Sequence, residues 1–155
     1  MVCGASERLG VNRLGMRCVA EFVDTPSSKL SGMIHHASLP VVDLERSAAL
    51  YDAALAALGY RRVLNALGFV GYGVEDGKDK LALKQTTQSE PAAPGFHLAL
   101  AAPSREAVDA FYAAALLHGA TDNGRPGLRA HYGPRYYAAF IIDLDGHRIE
   151  VVHNG

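Results

Sequence analysis

His36-Ala-Ser-Leu-Pro-Val-Val-Asp43 and His97-Leu-Ala-Leu-Ala-Ala-Pro-Ser104 are two copies of one pattern, and their likeness decides the reading of the fold. In each copy a histidine opens the stretch, a helix-capping residue stands seven positions on, and a tyrosine, Tyr51 or Tyr112, stands fifteen positions on. Each then runs into a helical pattern that stops at a glycine, Gly59 or Gly119. This is an internal repeat of a strand-helix unit. If the halves pack about a pseudo-twofold axis, the two histidines approach each other on one side of a sheet, and Glu150 in the last strand could join them. The expectation is a metal site built by duplication.

Alternation puts Ala37, Leu39 and Val41 on one face of the first strand and His36 and Ser38 on the other. Asp43 caps a helix whose Leu44, Ala48, Tyr51, Leu55 and Leu58 form one apolar stripe. Short strands are expected around Tyr60 to Ala66, Phe69 to Val74 and Lys80 to Thr86, so the first unit reads β-α-β-β-β. Gln88 to Pro94 is a linker by composition, and the order then restarts. Phe96, Leu98 and Leu100 form the apolar face of the next strand, leaving His97, Ala99 and Ala101 opposite. Ser104 caps a second helix, with Val108, Phe111, Tyr112, Ala115 and Leu116 in its stripe. A weak strand is expected at Ala120 to Asn123, followed by a Gly-, Pro- and Arg-bearing loop over residues 124–135, long enough to suggest a functional mouth. Two strands, Tyr136 to Asp143 and His147 to His153, finish the chain across the turn Asp145-Gly146. Ile149 and Val151 face the core, so Arg148, Glu150 and Val152 face away.

With 155 residues, 49% of them hydrophobic, the chain suits one globular domain. Its net charge of -1, with acids and bases interspersed, offers no basic face for nucleic acid. No apolar run approaches the roughly 20 residues of a membrane-spanning helix. Cys3 and Cys18 are the only cysteines. Without a disulfide framework or zinc-thiolate spacing, a reducing, cytoplasmic setting is expected. Residues 1–32 mix acids with arginines and end in a loop-like stretch, so they read as a poorly packed extension or linker. A transit peptide is the lesser alternative there, and Val19 to Val23 is a candidate extra strand. The folded domain is expected over residues 33–155, with module one at 33–88 and module two at 95–155.

Two βαβββ units, His36-x-x-Leu-x-Val before the first helix, His97 opening the second unit, and Asp143-x-Asp-Gly-x-x-Ile-Glu150 at the end together resemble the vicinal oxygen chelate superfamily, the glyoxalase, bleomycin-resistance and extradiol-dioxygenase group. The resemblance spans residues 33–154. It implies an α+β glyoxalase-like fold in which two βαβββ modules form a paired, curled-sheet cup. It further implies a divalent metal held by His36, His97 and Glu150, and a homodimer in which units from different chains can complete the cup. The donor chemistry agrees: two imidazoles and a carboxylate on one face of a sheet suit Fe, Mn, Ni or Zn and leave positions open for water and a chelating substrate. The bland alternative is that the histidines are polar residues on half-exposed strands and Glu150 a solvated carboxylate. His35 has the parity of the wrong face.

In the same family, glyoxalase I and the epimerases use a fourth ligand near the end of the first module. Here that strand is Leu81-Ala-Leu-Lys-Gln-Thr-Thr87, without a carboxylate, and Gln85 is a weak substitute or merely a polar strand end. Three functions follow as expectations. One is a metal-dependent isomerase, lyase or transferase acting on a small oxygen-chelating substrate. A second is an Fe(II) extradiol-type dioxygenase, for which His131, Tyr132 and Tyr137, together with Tyr136, could supply acid-base groups. A third is a metal-free small-molecule binding or resistance protein. Arg125, Arg129 and Arg135 could attract an anionic substrate, although loop arginines are more often simply solvated.

Overall fold

The computed structural model describes residues 34–88 and 93–155. The expectations for residues 1–32, for the cysteines and for Met33 as the first folded residue lie outside these, as does most of the 88–94 linker. The first module comprises β1 (Ala37–Val41), α1 (Leu44–Ala56), β2 (Arg61–Ala66), β3 (Phe69–Gly73) and β4 (Leu81–Gln85). The second comprises β5 (Leu98–Ala101), α2 (Arg105–Leu117), β6 (Thr121–Leu128), β7 (Tyr137–Ile142) and β8 (Arg148–His153). Each module makes one four-stranded sheet, in the orders β1-β4-β3-β2 and β5-β8-β7-β6, with only the first pair of each order parallel. The duplication expected from the sequence is therefore a duplication of topology, in an α+β, glyoxalase-like fold.

Both helices start and stop for local reasons. The Asp43 carboxylate accepts from the Arg46 N–H at 3.1 Å, and Ser104 Oγ accepts from the Ala107 N–H at 3.2 Å, each satisfying an otherwise orphaned first-turn donor. Gly59 and Gly119 follow the last turns at φ of 81° and 95°, which a side-chain-bearing residue adopts only at a cost. Each helix covers one face of its own sheet, and the two helices pack on each other. Leu44, Ala48, Tyr51, Leu55 and Leu58 are all buried, as are Val108, Phe111 and Ala115, so both stripes face the core. No described helix is long and apolar enough to cross a membrane.

Two expectations need correction. Phe96 stands before β5 and is exposed, so Leu98 and Leu100 alone form the apolar face of that strand. Residues 124–128 belong to β6 rather than to a loop, and β6 absorbs its glycines through register shifts between Asp122 and Gly124 and between Gly124 and Gly127. Bulged strands tolerate Gly and Pro that a regular ladder rejects, so turn composition misled the reading.

The modules are joined around Asp143, at the start of the β7–β8 turn. Its Oδ1 accepts the N–H groups of Asp145 (3.0 Å) and His147 (2.7 Å), shaping the turn, while Oδ2 accepts the Tyr51 hydroxyl of α1 at 2.8 Å. Asp145 reaches the other module through the Val42 N–H and the Ser47 hydroxyl, both at 2.8 Å. His147 Nε2 lies 2.7 Å from the Pro40 carbonyl, which can only accept, so Nε2 carries the proton. Tyr51 is fully buried, and burial with the nearby Asp143 carboxylate pushes its pKa well up, so it remains a donor.

Burial also raises the Asp143 pKa above 3.8, against the opposing pull of His147 and the donated hydrogen bonds. Between the unfolded and folded pKa values the native state therefore holds more protons than the unfolded one. The contribution of this group to stability consequently grows as pH falls and shrinks as pH rises through the folded value. Asp143→Asn is expected to destabilise the fold by about 1–3 kcal/mol, because an amide nitrogen meets donors where an oxygen accepted them. Urea midpoints should show this deficit widening as pH falls toward the ordinary carboxylate range.

The β3–β4 connection is the main departure from symmetry. Residues 74–80 curl back over the first sheet, with the Gly77 N–H donating to Val63 O at 3.2 Å. A methyl group at Gly73 would stand 2.2 Å from the Lys78 carbonyl oxygen. Gly73→Ala should therefore displace the connection and lower stability by about 1–3 kcal/mol in urea unfolding, an overpacking cost.

Candidate functional site

The site is built on the face of the second sheet that α2 leaves uncovered. Leu98 pairs with Ile149, and both turn toward the helix. Side chains alternate along a strand, so His97 and Glu150 project the other way. His97 Nε2 lies 3.0 Å from Glu150 Oε2. The carboxylate is only 3% exposed, whereas the imidazole is 47% exposed, so the pair opens to solvent on the histidine side. The other carboxylate oxygen, Oε1, accepts the Tyr136 hydroxyl at 2.7 Å. Burial and the Glu150 charge push the Tyr136 pKa up to about 12, which keeps that proton in place at neutral pH.

Behind Tyr136 stands a short ladder of rings. Tyr132 lies 5.2 Å from Tyr136, and His131 lies 4.1 Å from Tyr132, centroid to centroid. His131 and Tyr132 thus approach Glu150 through Tyr136, the residue with the direct bond. Tyr137 has the opposite parity: its hydroxyl donates to Asp109 of α2 at 2.9 Å and the Arg105 guanidinium stacks on its ring, so it lies on the helix side. Adjacent tyrosines on a strand must face opposite ways, and parity alone could have selected Tyr136 over Tyr137.

His36 precedes β1 as His97 precedes β5, and it is exposed on the uncovered side of the first sheet. Its Nδ1 sits 3.0 Å from Nδ1 of His35. Among the described residues no three His, Cys, Asp or Glu side chains converge, so one chain unites His97 with Glu150 but does not bring His36 to them. Strand register also defines the asymmetry between the modules. Ala37 pairs with Leu81 as Leu98 pairs with Ile149, which makes Ala82 the counterpart of Glu150. Gln85 pairs with Val41 and shares the parity of Leu81 and Leu83, away from the uncovered face.

Asp79 escaped the sequence reading. It belongs to the connection folded over the first sheet, and a methyl group on Gly71 would stand 2.9 Å from its Cβ. Gly71 pairs with Ala82, so this half-buried carboxylate overlies the position where the first module lacks its own. The only sequence signal was the pair of small residues, Gly71 and Ala82, at the floor of the sheet.

The hydroxyl of Tyr136 is what satisfies a buried carboxylate oxygen. Tyr136→Phe is expected to cost about 1–3 kcal/mol in urea unfolding, whereas Tyr132→Phe should fall within about 0.5 kcal/mol of wild type.

Comparison with known proteins agrees with this fold. The family model for the Glyoxalase/Bleomycin resistance protein/Dioxygenase superfamily matches residues 33–151. A glyoxalase/bleomycin resistance protein from Albidiferax ferrireducens T118 is 30% identical, with a TM-score of 0.69 over 80% of this chain and 100% of its own. The fosfomycin resistance protein FosX from Mesorhizobium loti shares the fold at 17% identity, with a TM-score of 0.59 over 82% of this chain and 95% of its own. A variant of FosX from Listeria monocytogenes, in complex with Mn(II) and a dihydroxypropylphosphonic acid, does so at 16% identity, with a TM-score of 0.59 over 82% of this chain and 93% of its own. No curated protein matches the chain by sequence. Two βαβββ modules, a histidine-carboxylate pair on an uncovered sheet face and the match over residues 33–151 have one common meaning: the chain belongs to the Glyoxalase/Bleomycin resistance protein/Dioxygenase superfamily.

Proposed function

We propose that the protein is a divalent-metal-dependent enzyme acting on a small substrate through its vicinal oxygen atoms, with the ion held by His97 and Glu150 of one chain and His36 of a second copy. The observation that carries this reading is the pairing of His97 Nε2 with Glu150 Oε2 at 3.0 Å. Two donors at right angles, each about 2.1 Å from a shared ion, stand about 3.0 Å apart, so the pair suits one ion without movement of the strands. Tyr136 fixes the carboxylate from behind, as outer partners of metal ligands commonly do. His36 has an analogous support, because its contact with His35 through Nδ1 leaves Nε2 free.

The helix arrangement supports a role for the second copy. With α1 and α2 packed on each other, the uncovered faces of the two sheets lie away from the shared helical layer. Homodimerisation that sets the first module of one copy against the second module of another would bring His36 to the pair and Asp79 to the opposite wall. A bound ion there supplies Lewis-acid stabilisation of oxyanionic charge, the basis of isomerase, lyase or transferase chemistry. An Fe(II) extradiol dioxygenase is the second reading, favoured by the His131-Tyr132-Tyr136 ladder beside Glu150.

Metal analysis of purified protein tests both. Wild type should carry one ion per chain, and His36→Ala, His97→Ala and Glu150→Gln should each lose it. When His36→Ala and Glu150→Gln chains are refolded together, half the dimers are mixed and each has one intact donor set, so roughly a quarter of the sites should return. A wild type without metal would sink both metalloenzyme readings, and recovery of nothing on mixing would sink the shared site. Anaerobic iron loading followed by oxygen uptake with catechols separates the dioxygenase from activity supported by Mn, Ni or Zn.

A further inference from the structure

The second sheet carries a cation that the metal reading does not use. Past the bulges of β6 the chain turns back, and the Arg129 N–H donates to Tyr136 O at 2.8 Å. The Arg129 side chain then lies across its own strand. Its Nη2 donates to Arg125 O at 2.7 Å, and its guanidinium carbon stands 5.4 Å from the centroid of the Phe140 ring. A methyl group at Gly124 would sit 3.5 Å from Nη2 and 3.0 Å from Phe140 Cδ2, and one at Gly127 would sit 3.4 Å from Nη1. The two glycines leave the space that the guanidinium fills, Phe140 provides its platform, and a main-chain carbonyl fixes its orientation.

Gly124 pairs with Phe140, and Phe140 pairs with Glu150. Directly opposed residues project to the same side of a sheet, so one row across β8, β7 and β6 presents a carboxylate, an aromatic ring and then a guanidinium. That is the side on which His97 meets Glu150. With strands about 4.8 Å apart, the guanidinium lies roughly 5–10 Å from the carboxylate. Arg129 is half-buried and makes no ion pair among the described residues, while the neighbouring Arg125 reaches Asp122 at 3.7 Å. A planar cation held on a ring with part of its donor fork free is built to receive an oxyanion.

We propose that Arg129 is the specificity-determining anchor for an oxyanionic group of the substrate, a carboxylate, phosphate or phosphonate, whose remaining oxygens reach the His97-Glu150 pair. The link to that pair rests on the function proposed above. The anion seat itself does not need the metal. The substrate is thus a small acid spanning about one or two strand spacings, and neutral analogues of the same shape should be discriminated against.

Calorimetric titration of metal-free and Mn(II)-loaded protein with methylphosphonate and with acetate tests this, the two probes separating tetrahedral from planar anions. Saturable binding of at least one is expected, weakened tenfold or more by Arg129→Met and by a smaller factor by Arg129→Lys, which keeps the charge and loses the fork. Arg125→Met and Arg135→Met should bind as wild type. Urea midpoints check folding, and if Arg129→Met does not fold, Arg129→Lys and Phe140→Leu carry the comparison. Absence of binding by both anions, an unchanged affinity in the Arg129 variants, or an equal loss in Arg125→Met would overturn the proposal. Arg129-dependent phosphonate binding in a protein that takes up none of Fe, Mn, Ni or Zn would sink the metal reading and leave this one standing.

Discussion

The buried carboxylate of Asp143 is the constraint on which the arrangement of the two modules depends. A charge removed from water must be met by donors on every side, and Asp143 meets two N–H groups from its own turn and the Tyr51 hydroxyl from the other module. Asp145 and His147 extend the joint to Val42, Ser47 and Pro40, all at the β1–α1 junction. Glu150 lies on β8, the strand that leaves this turn, and His97 precedes β5, the parallel neighbour of β8, so the polar joint bears on both the helical layer and the orientation of the candidate site. The joint uses one copy of each duplicated feature. Tyr51 crosses between modules, whereas its counterpart Tyr112 has its pKa raised by burial and by Asp122 of its own module.

The same asymmetry runs through the two sheet faces. In module two the floor is Glu150 beside Phe140, and in module one the matching pair is Ala82 beside Gly71. Small residues at the floor admit the β3–β4 connection, which brings Asp79 over the first sheet, while the second sheet carries the larger Glu150 and Phe140 at the matching positions. Duplication therefore yielded two similar frames with different furniture: one face holds its carboxylate on a strand, the other receives one from a loop. Two unlike faces meeting across a dimer would enclose a substrate asymmetrically, as discrimination between the ends of a small molecule requires.

Much of the frame was legible from local chemistry. The caps at Asp43 and Ser104, the terminating glycines at 59 and 119, and the strand parity of His97 and Glu150 all follow from interactions within a few residues. The strand character of residues 124–128 was not, because a bulged edge strand has the composition of a loop. Nor was the choice between Tyr136 and Tyr137 made, although the alternation of β7 contained it. Asp79 lay beyond reach, since its place depends on a connection folding over a sheet that must already exist.

The sequence by itself determined the repeated βαβββ order, the helix stripes and the side of each sheet on which His36, His97 and Glu150 emerge, because periodicity and capping act along the chain. Only the tertiary structure decided which of those groups meet. His97 joins Glu150 because β5 and β8 are neighbours in parallel register, and His36 stays apart because the helices pack between the modules and turn the uncovered faces away from their common layer. The seat of Arg129 was likewise decided in three dimensions, where a bulge, two glycines and a ring from the next strand come together. Contacts between residues far apart in sequence depend on register and packing, which no local pattern encodes.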